Sequence, residues 1–237
     1  MIESIRIKKL KNKKIIFIAL DCSVSKAKAI LKSVPKVRSK KYEIGIKAGY
    51  QILYSDKGRN FIKSLKGYKK FIDLKLNDVP STVKNGVISL RDLKADYITI
   101  HASAGFDAIK LAKKYSGKTK LLAVSVLTSM NKKNLSEIGH TKKLDKIVIH
   151  LSKLAKKAGA YAMICSPHEA KKIEKLSKLP SITPGIRLPG DQSGDQKRIA
   201  TPKFAFNNGA MGIVMGRSLI KGNIKNNFKR LFQHLNS

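Results

Sequence analysis

Short apolar runs alternate with amphipathic stretches along the whole chain. The first run, IIFIAL at residues 15–20, is continuous, which predicts a strand buried on both faces as in a parallel sheet. Seven later runs also predict strands, and the segments between them have helical spacing. The predicted strands cover residues 15–20, 42–48, 71–76, 96–100, 121–127, 160–165, 181–183 and 211–215. The predicted helices cover residues 25–34, 56–65, 81–93, 106–115, 144–158, 167–179, 202–208 and 217–235.

Strands that alternate with helices in this number, within 237 residues, predict an α/β fold: a single (β/α)8 TIM barrel. No linker, repeat or change of composition marks a second domain, so we expect residues 1–237 to form one domain. The active site of such a barrel lies at the C-terminal ends of the strands. Residues 188–197 are rich in Gly and Asp and lack periodicity, which predicts a loop that acts as a lid on this face.

Polar or charged side chains stand at the end of nearly every predicted strand, whereas the strand bodies are apolar. One or two such residues would be ordinary surface, but a ring of them indicates a site. The residues at these ends are Asp21, Lys47, Asp73, Lys75, His101, Thr128, Ser166, Arg187, Gly216 and Arg217.

The third predicted strand carries the densest group of charges. Asp73 and Lys75 are two residues apart, so on a strand they point to the same side. Charges that face a sheet interior are costly unless they are paired or functional. Asp78 follows, and Pro80 is well placed to open a helix. A solvated edge strand is the alternative, but acids are scarce (15 Asp and Glu against 50 Lys and Arg), which favours a functional cluster.

Gly216 and Arg217 follow the eighth predicted strand and open the last predicted helix. Backbone N–H groups at a helix start, together with a guanidinium, favour phosphate binding. Arg187 ends the seventh strand and is placed to share the anion. A turn glycine beside a surface arginine is the alternative interpretation.

The formal charge of +35 raises the possibility of nucleic-acid or anionic-surface binding. The excess is mostly lysine spread over the whole length, and aromatic residues do not interleave with it as a stacking surface requires. A solvated lysine coat that attracts anionic substrates is therefore the favoured interpretation. We expect no specific nucleic-acid partner.

The compartment is suggested by the two cysteines, Cys22 and Cys165, which form no disulfide framework and favour a reducing environment. No apolar run approaches the roughly 20 residues of a membrane span. Residues 1–14 are basic but lack the apolar region of a signal peptide. We expect a cytoplasmic protein without a membrane partner.

The third-strand segment DLKLNDVPST, residues 73–82, resembles the Asp-x-Lys-x-x-Asp-Ile/Val-Pro-x-Thr signature of the orotidine 5′-phosphate decarboxylase family. Each further matching block is weak or moderate alone, but together they are specific and follow the family's order over nearly the whole chain. These blocks are residues 19–21, 46–49, 101–103, 126–130, 183–187, 194–196 and 216–217.

The resemblance implies decarboxylation of orotidine 5′-monophosphate to uridine 5′-monophosphate, the last step of de novo pyrimidine synthesis, with no cofactor and no metal. It implies that Lys75 protonates carbon six of the pyrimidine and that Asp73 lies beside the scissile carboxylate. Lys47 and Asp78 would complete an alternating Lys-Asp-Lys-Asp array. It also implies a homodimer in which Asp78 and Thr82 reach the partner's site.

The resemblance assigns further substrate contacts by position. Val79 would line the pyrimidine pocket, Thr128 would lie by the base, and Asp21 with Lys47 would contact the ribose hydroxyls. The phosphate grip and its closing loop would comprise Arg187, Gln196, Gly216 and Arg217.

Three positions depart from the family pattern. Asn77 stands where His is frequent, Gln51 where Glu is common, and Ser81 where Asn is usual. None removes a catalytic charge, so these departures bear on fine positioning rather than on the reaction.

Two other functions compete with this interpretation. Magnesium-dependent phosphosugar barrels of the same suprafamily, such as keto-gulonate-phosphate decarboxylase or hexulose-phosphate synthase, share the Asp-x-Lys-x-x-Asp motif but use further acidic ligands. Lys47 ends the second strand where they would need an acid. A nucleic-acid-binding or structural protein is the alternative from another class. His101 at the barrel rim and Cys165 in the core have ordinary packing interpretations.

Overall fold

The computed structural model describes residues 13–192 and 198–237, and within these ranges parallel strands close into one barrel in chain order. The strand β8 pairs with β1, which confirms the predicted (β/α)8 barrel. The strands are β1 Lys14–Leu20, β2 Tyr42–Ala48, β3 Lys69–Leu76, β4 Tyr97–His101, β5 Lys120–Val124, β6 Ala162–Ile164, β7 Ser181–Thr183 and β8 Ala210–Met215. The helices are α1 Val24–Ser33, α2 Tyr50–Leu53, α3 Gly58–Ser64, α4 Pro80–Ser89, α5 Gly105–Tyr115, α6 Lys132–Glu137, α7 Leu144–Lys157, α8 Ala170–Ser177, α9 Pro202–Asn207, α10 Arg217–Ile220 and α11 Ile224–Asn236.

Aromatic side chains fill the lower part of the barrel interior. The ring of Phe17 meets those of Phe71 and Tyr97 edge to face, with ring centroids 5.1 and 5.6 Å apart. Gly45 faces Phe17, and a Cβ at that position would clash with the Phe17 ring. Within the described residues the barrel interior is therefore packed below, and it opens into a cavity at the C-terminal ends of the strands.

On three of the strands, the next inward-facing position along the strand carries a polar side chain into the upper part of the barrel. Phe71 points inward on β3, and Asp73 follows two residues later; Tyr97 on β4 is likewise followed by Thr99. Lys47 follows Gly45 on β2 in the same phase. The inward rows of β2, β3 and β4 thus begin without a polar side chain and end polar, which places Lys47, Asp73 and Thr99 together above the aromatic layer.

Several predicted boundaries were wrong. The predicted strand 121–127 ends at Val124, and the predicted strand 160–165 covers only Ala162–Ile164. The helix predicted over 217–235 is broken after α10, because Gly222 adopts φ +71° and Asn223 caps a new helix by accepting from the N–H of Asn226.

Some short elements were missed. The helices α2 and α6 were not predicted, and α1 begins at Val24, one residue before its predicted start, with Ser23 as its cap, whose side chain accepts from the N–H of Lys26. Residues 193–197 of the predicted lid, including Gln196, lie outside the described residues, as does the basic segment 1–12. No helix in the described part of the chain is long and apolar enough to cross a membrane.

Candidate active site

A cavity of about 550 Å³ opens at the C-terminal ends of the strands. Most of the residues predicted for the site lie on its wall, which places the cavity where the sequence pattern predicted it. The predicted residues on the wall are Asp21, Lys47, Asp73, Lys75, Thr128, Arg187, Gly216 and Arg217.

The carboxylate of Asp73 is the centre of the charged group. It is 9% exposed and lies 3.3 Å from the Nζ of Lys47 and 3.0 Å from the Nζ of Lys75. The hydroxyl of Thr99 donates to its Oδ1 at 3.0 Å. Burial by itself raises the pKa of Asp73, but the two ammonium groups and these hydrogen bonds outweigh it and hold the pKa below its ordinary value. Asp73 is therefore ionised at neutral pH.

Lys47 links Asp73 to Asp21. Its ammonium donates to Oδ1 of Asp21 at 2.8 Å, and the residue is 6% exposed. Burial alone lowers the pKa of Lys47, but attraction to Asp73 and Asp21 outweighs this and raises the pKa above its ordinary value. A fixed positive charge therefore lies between two carboxylates.

Lys75 reaches Asp73 by a route that the sequence did not predict. The register between β3 and β4 shifts between Ile72 and Leu76, and Lys75 has φ +46°. Both side chains reach the cavity, as their spacing predicted, but they do so from an irregular segment and not from a regular strand. A non-glycine residue in this left-handed region costs about 1–2 kcal/mol, a strain that is often found at functional sites.

Apolar side chains form the wall beside the charged group. Ala19, Phe71, Val124, Ile164 and Val214 line the cavity. Charges interact more strongly beside such a wall than in water, because the local dielectric is lower.

Cys165 also lines the cavity. Burial raises the pKa of its thiol to about 12, so the group is neutral and suited to packing.

Two arginines that follow β7 and β8 also line the cavity. Arg187 is 7% exposed, and its guanidinium donates to the carbonyl oxygens of Ile186 and Gln192 at 3.0 and 3.1 Å. Arg217 follows Gly216 at the end of β8 and lines the same region. The cavity wall thus carries a charged row from the ends of β1, β2 and β3 and two guanidinium groups from the segments after β7 and β8.

The residues predicted to act across a dimer interface lie outside this cavity. Asp78 is exposed, and its Oδ1 accepts from the N–H of Val79 at 2.7 Å. Val79 is 59% exposed, and Thr82 is also exposed. The structure therefore does not bring Asp78 or Thr82 to the charged row of their own protomer, and Val79, implied to line the pyrimidine pocket, does not line the cavity of its own protomer.

Thr99 was missed by the sequence interpretation, although a signal was present. It lies one inward position above Tyr97, and a hydroxyl among apolar residues of a central strand needs a partner when it is buried.

His101, by contrast, pairs through Nδ1 with the hydroxyl of Ser103 at 2.6 Å and does not line the cavity. Within the described ranges no three His, Cys, Asp or Glu side chains are grouped as metal ligands.

Fold and cavity together define a (β/α)8-barrel enzyme with a charged site at the strand ends. The family model described as orotidine 5′-phosphate decarboxylase / HUMPS matches residues 14–227. The chain belongs to this family, and its relatives named orotidine 5′-phosphate decarboxylase are carboxy-lyases.

Individual relatives agree with this assignment. The chain is 39% identical over 192 residues to a protein of Bacillus cereus (strain AH820) named orotidine 5′-phosphate decarboxylase, covering 76% of this chain and 80% of that protein. It is 37% identical over 221 residues to one of Prochlorococcus marinus (strain MIT 9215), covering 87% and 88%. The crystal structure of orotidine 5′-phosphate decarboxylase from Lactobacillus acidophilus superposes with a TM-score of 0.81 at 32% identity, covering 95% of this chain and all of that one.

Proposed function

We propose that this protein decarboxylates orotidine 5′-monophosphate to uridine 5′-monophosphate and carbon dioxide, without a cofactor or a metal ion. The observation that carries the proposal is the buried, ionised Asp73 held between the ammonium groups of Lys47 and Lys75 on the cavity wall. Relatives that cover most of the chain and bear the name of this enzyme support it.

The reaction develops a negative charge on one carbon, and a positive group near that carbon must stabilise it. Loss of carbon dioxide from carbon six breaks a carbon–carbon bond and leaves its electron pair on that carbon, with little resonance help. The barrier in water is very high, and the enzyme must supply on the order of 20 kcal/mol. We assign to Lys75 the delivery of a proton to this carbon, which consumes the electron pair and yields the product.

Asp73 contributes through repulsion that the reaction relieves. A substrate carboxylate placed beside it has an unfavourable interaction that disappears as neutral carbon dioxide departs. The apolar wall strengthens this effect and also strengthens the attraction between the developing carbanion and the Lys75 ammonium. Because fixed charges are already oriented, little reorganisation is required during the reaction.

The contacts to the rest of the substrate are assigned from the family resemblance, and most of these residues line the cavity. We place the phosphate by Arg187, Gly216 and Arg217, with Gln196 as a further contact. The Asp21–Lys47 pair is placed at the ribose hydroxyls, and Thr128 near the base. Binding energy from the remote phosphate then helps to hold the scissile group against Asp73.

The active form is proposed to be a homodimer. Tyr50, Val79 and Phe106 expose large apolar surfaces and follow the neighbouring strands β2, β3 and β4. A second copy on this face would cover them, and it would receive the exposed Asp78 and Thr82 at its own charged row. In this arrangement Val79 lines the partner's pyrimidine pocket and Asp78 completes the Lys-Asp-Lys-Asp array.

The metal-dependent members of the wider family are the second candidate. The Lys47 ammonium between Asp21 and Asp73 argues against them, since a cation site there would require the lysine to leave. We further propose that the enzyme works in the cytoplasm and that its lysine coat attracts anionic substrates without a specific nucleic-acid partner.

Purified protein tests the proposal directly. Loss of orotidine 5′-monophosphate, followed by ultraviolet absorbance, is expected at the same rate with and without a chelator. Absence of turnover, or turnover that a chelator abolishes and magnesium restores, would contradict the proposal. A matched assay with 3-keto-gulonate 6-phosphate is expected to show no decarboxylation.

A further inference from the structure

The peptide between Leu74 and Lys75 lies in the irregular part of β3. The register pairs of β3 stop at Ile72 and resume at Leu76, and Lys75 has φ +46°. Regular strand pairing therefore does not set the orientation of this peptide, although the orientation decides where the Lys75 side chain begins. Some other contact must fix it, because the left-handed region is unfavourable for a residue with a side chain.

Two side chains hold this peptide from opposite ends. The backbone N–H of Lys75 donates to the hydroxyl of Thr99 at 2.8 Å, and the hydroxyl of Tyr50 donates to the carbonyl oxygen of Leu74 at 2.8 Å. The N–H and the C=O belong to one planar peptide group. The two hydrogen bonds consequently fix the plane that sets the φ of Lys75.

The Thr99 hydroxyl has a second partner. It donates to Oδ1 of Asp73 at 3.0 Å, and the residue is fully buried. A hydroxyl has one hydrogen to donate and lone pairs to accept. One atom therefore ties the backbone of Lys75 to the carboxylate that receives the Lys75 ammonium at 3.0 Å.

We infer that Thr99 and Tyr50 are positioning residues that aim the Lys75 ammonium at Asp73 and at the reacting carbon. The inference rests on the proposed function and adds to it two residues outside the assigned substrate contacts. Neither residue lines the cavity. Their loss should slow the chemical step and leave nucleotide binding nearly unchanged, because Arg187 and Arg217 lie on other strand ends.

Four single-site variants test this inference. Thr99→Val keeps the shape of the side chain and removes the hydroxyl, whereas Thr99→Ser keeps the hydroxyl. Tyr50→Phe removes one hydroxyl near the surface. Tyr54→Phe is its matched control, since Tyr54 stacks on Tyr50 and is 77% exposed.

Steady-state kinetics with orotidine 5′-monophosphate give the first readout. We expect kcat of Thr99→Val to fall by about 10- to 100-fold, because a shift of about 1 Å in a reacting group has effects of this size. KM should stay within about threefold, and Thr99→Ser should retain most of the activity. Tyr50→Phe should lose several-fold in kcat, while Tyr54→Phe should match the wild type.

The outcomes separate this inference from a purely structural role. Wild-type kcat in Thr99→Val, or equal kcat in Tyr50→Phe and Tyr54→Phe, overturns the inference. If Thr99→Val does not fold, the tyrosine pair decides. If the wild type itself shows no turnover, the proposed function fails instead. In that case a crystal structure of Tyr50→Phe decides the inference. A changed Lys75 φ with a displaced ammonium supports the inference, and an unchanged φ or an unchanged ammonium position refutes it.

Discussion

Replacement of Lys75 by alanine separates catalysis from stability more sharply than any other single change. The variant loses the proposed proton donor and the fixed positive charge nearest the reacting carbon. Asp73 keeps its ammonium contact with Lys47 at 3.3 Å and its hydrogen bond from Thr99 at 3.0 Å. We therefore expect a folded protein without measurable turnover.

The size of the stability change follows from the contact that is lost. Unit charges 3.0 Å apart attract by about 5.5 kcal/mol at an effective dielectric of about 20. The Lys75 side chain is 31% exposed, so water replaces much of this attraction. We therefore expect the free energy of unfolding to fall by about 1–3 kcal/mol. Each kcal/mol lowers the melting temperature by about 2–4 °C in a chain of this size.

The assay combines ultraviolet-monitored turnover with thermal unfolding. Lys172→Ala is the matched control, because Lys172 pairs with Asp145 at 2.7 Å on the exposed surface. It is expected to keep full activity and to lose under about 1 kcal/mol of stability. Activity of Lys75→Ala above a few per cent of wild type, with the fold intact, would refute Lys75 as the proton donor.

Three further predictions concern the shared site, the buried carboxylate and the phosphate contact. Inactive Asp78→Asn and Lys75→Ala subunits should regain partial activity when mixed, measured by turnover after subunit exchange; no recovery would argue against a site shared between protomers. Because the pKa of Asp73 is lowered on folding, its stabilising effect is complete above the unfolded carboxyl value of about 4 and is lost as the pH falls below it. Denaturant titration should therefore show a constant difference in unfolding free energy between wild type and Asp73→Asn from about pH 6 to about pH 8. This difference should shrink below about pH 4. A difference that stays constant down to about pH 3 would contradict this reasoning. Arg217→Ala should raise KM more than it lowers kcat in steady-state kinetics, and inorganic phosphate should inhibit it less than the wild type; an unchanged KM would remove Arg217 from the phosphate contact.

The barrel was predictable because its signal is repeated along the chain. Runs such as residues 15–20 and 42–48 are apolar enough to be recognised singly, and the structure has β1 and β2 at nearly these bounds. The charged strand ends followed from the same pattern, since parallel strands of a barrel end on one face. Asp21, Lys47 and Asp73 needed only that rule to be brought together.

The geometry around Lys75 was not predictable from spacing. Two-residue periodicity assumes a regular strand, and β3 departs from it between Ile72 and Leu76. The peptide before the left-handed Lys75 donates a hydrogen bond to Thr99 and accepts one from Tyr50, and both residues are far away in sequence. Tertiary contacts of this kind carry no local signal.

The positions of Asp78 and Thr82 show a different limit. The charge of Asp78 suggested a role in the site, but one protomer leaves Asp78 and Thr82 exposed and outside the cavity. Only the family resemblance assigned them to a partner's site. A shared site depends on how two surfaces meet, and the pattern of one chain does not encode that relation visibly.

The central claim is that fixed lysine and aspartate charges suffice to remove a carboxyl group from a pyrimidine nucleotide. The most direct test measures carbon dioxide and uridine 5′-monophosphate together, from orotidine 5′-monophosphate and metal-stripped protein in the presence of a chelator. The account predicts catalytic release of both products in equal amounts. Failure to form either product, or formation only after metal is added back, would contradict it.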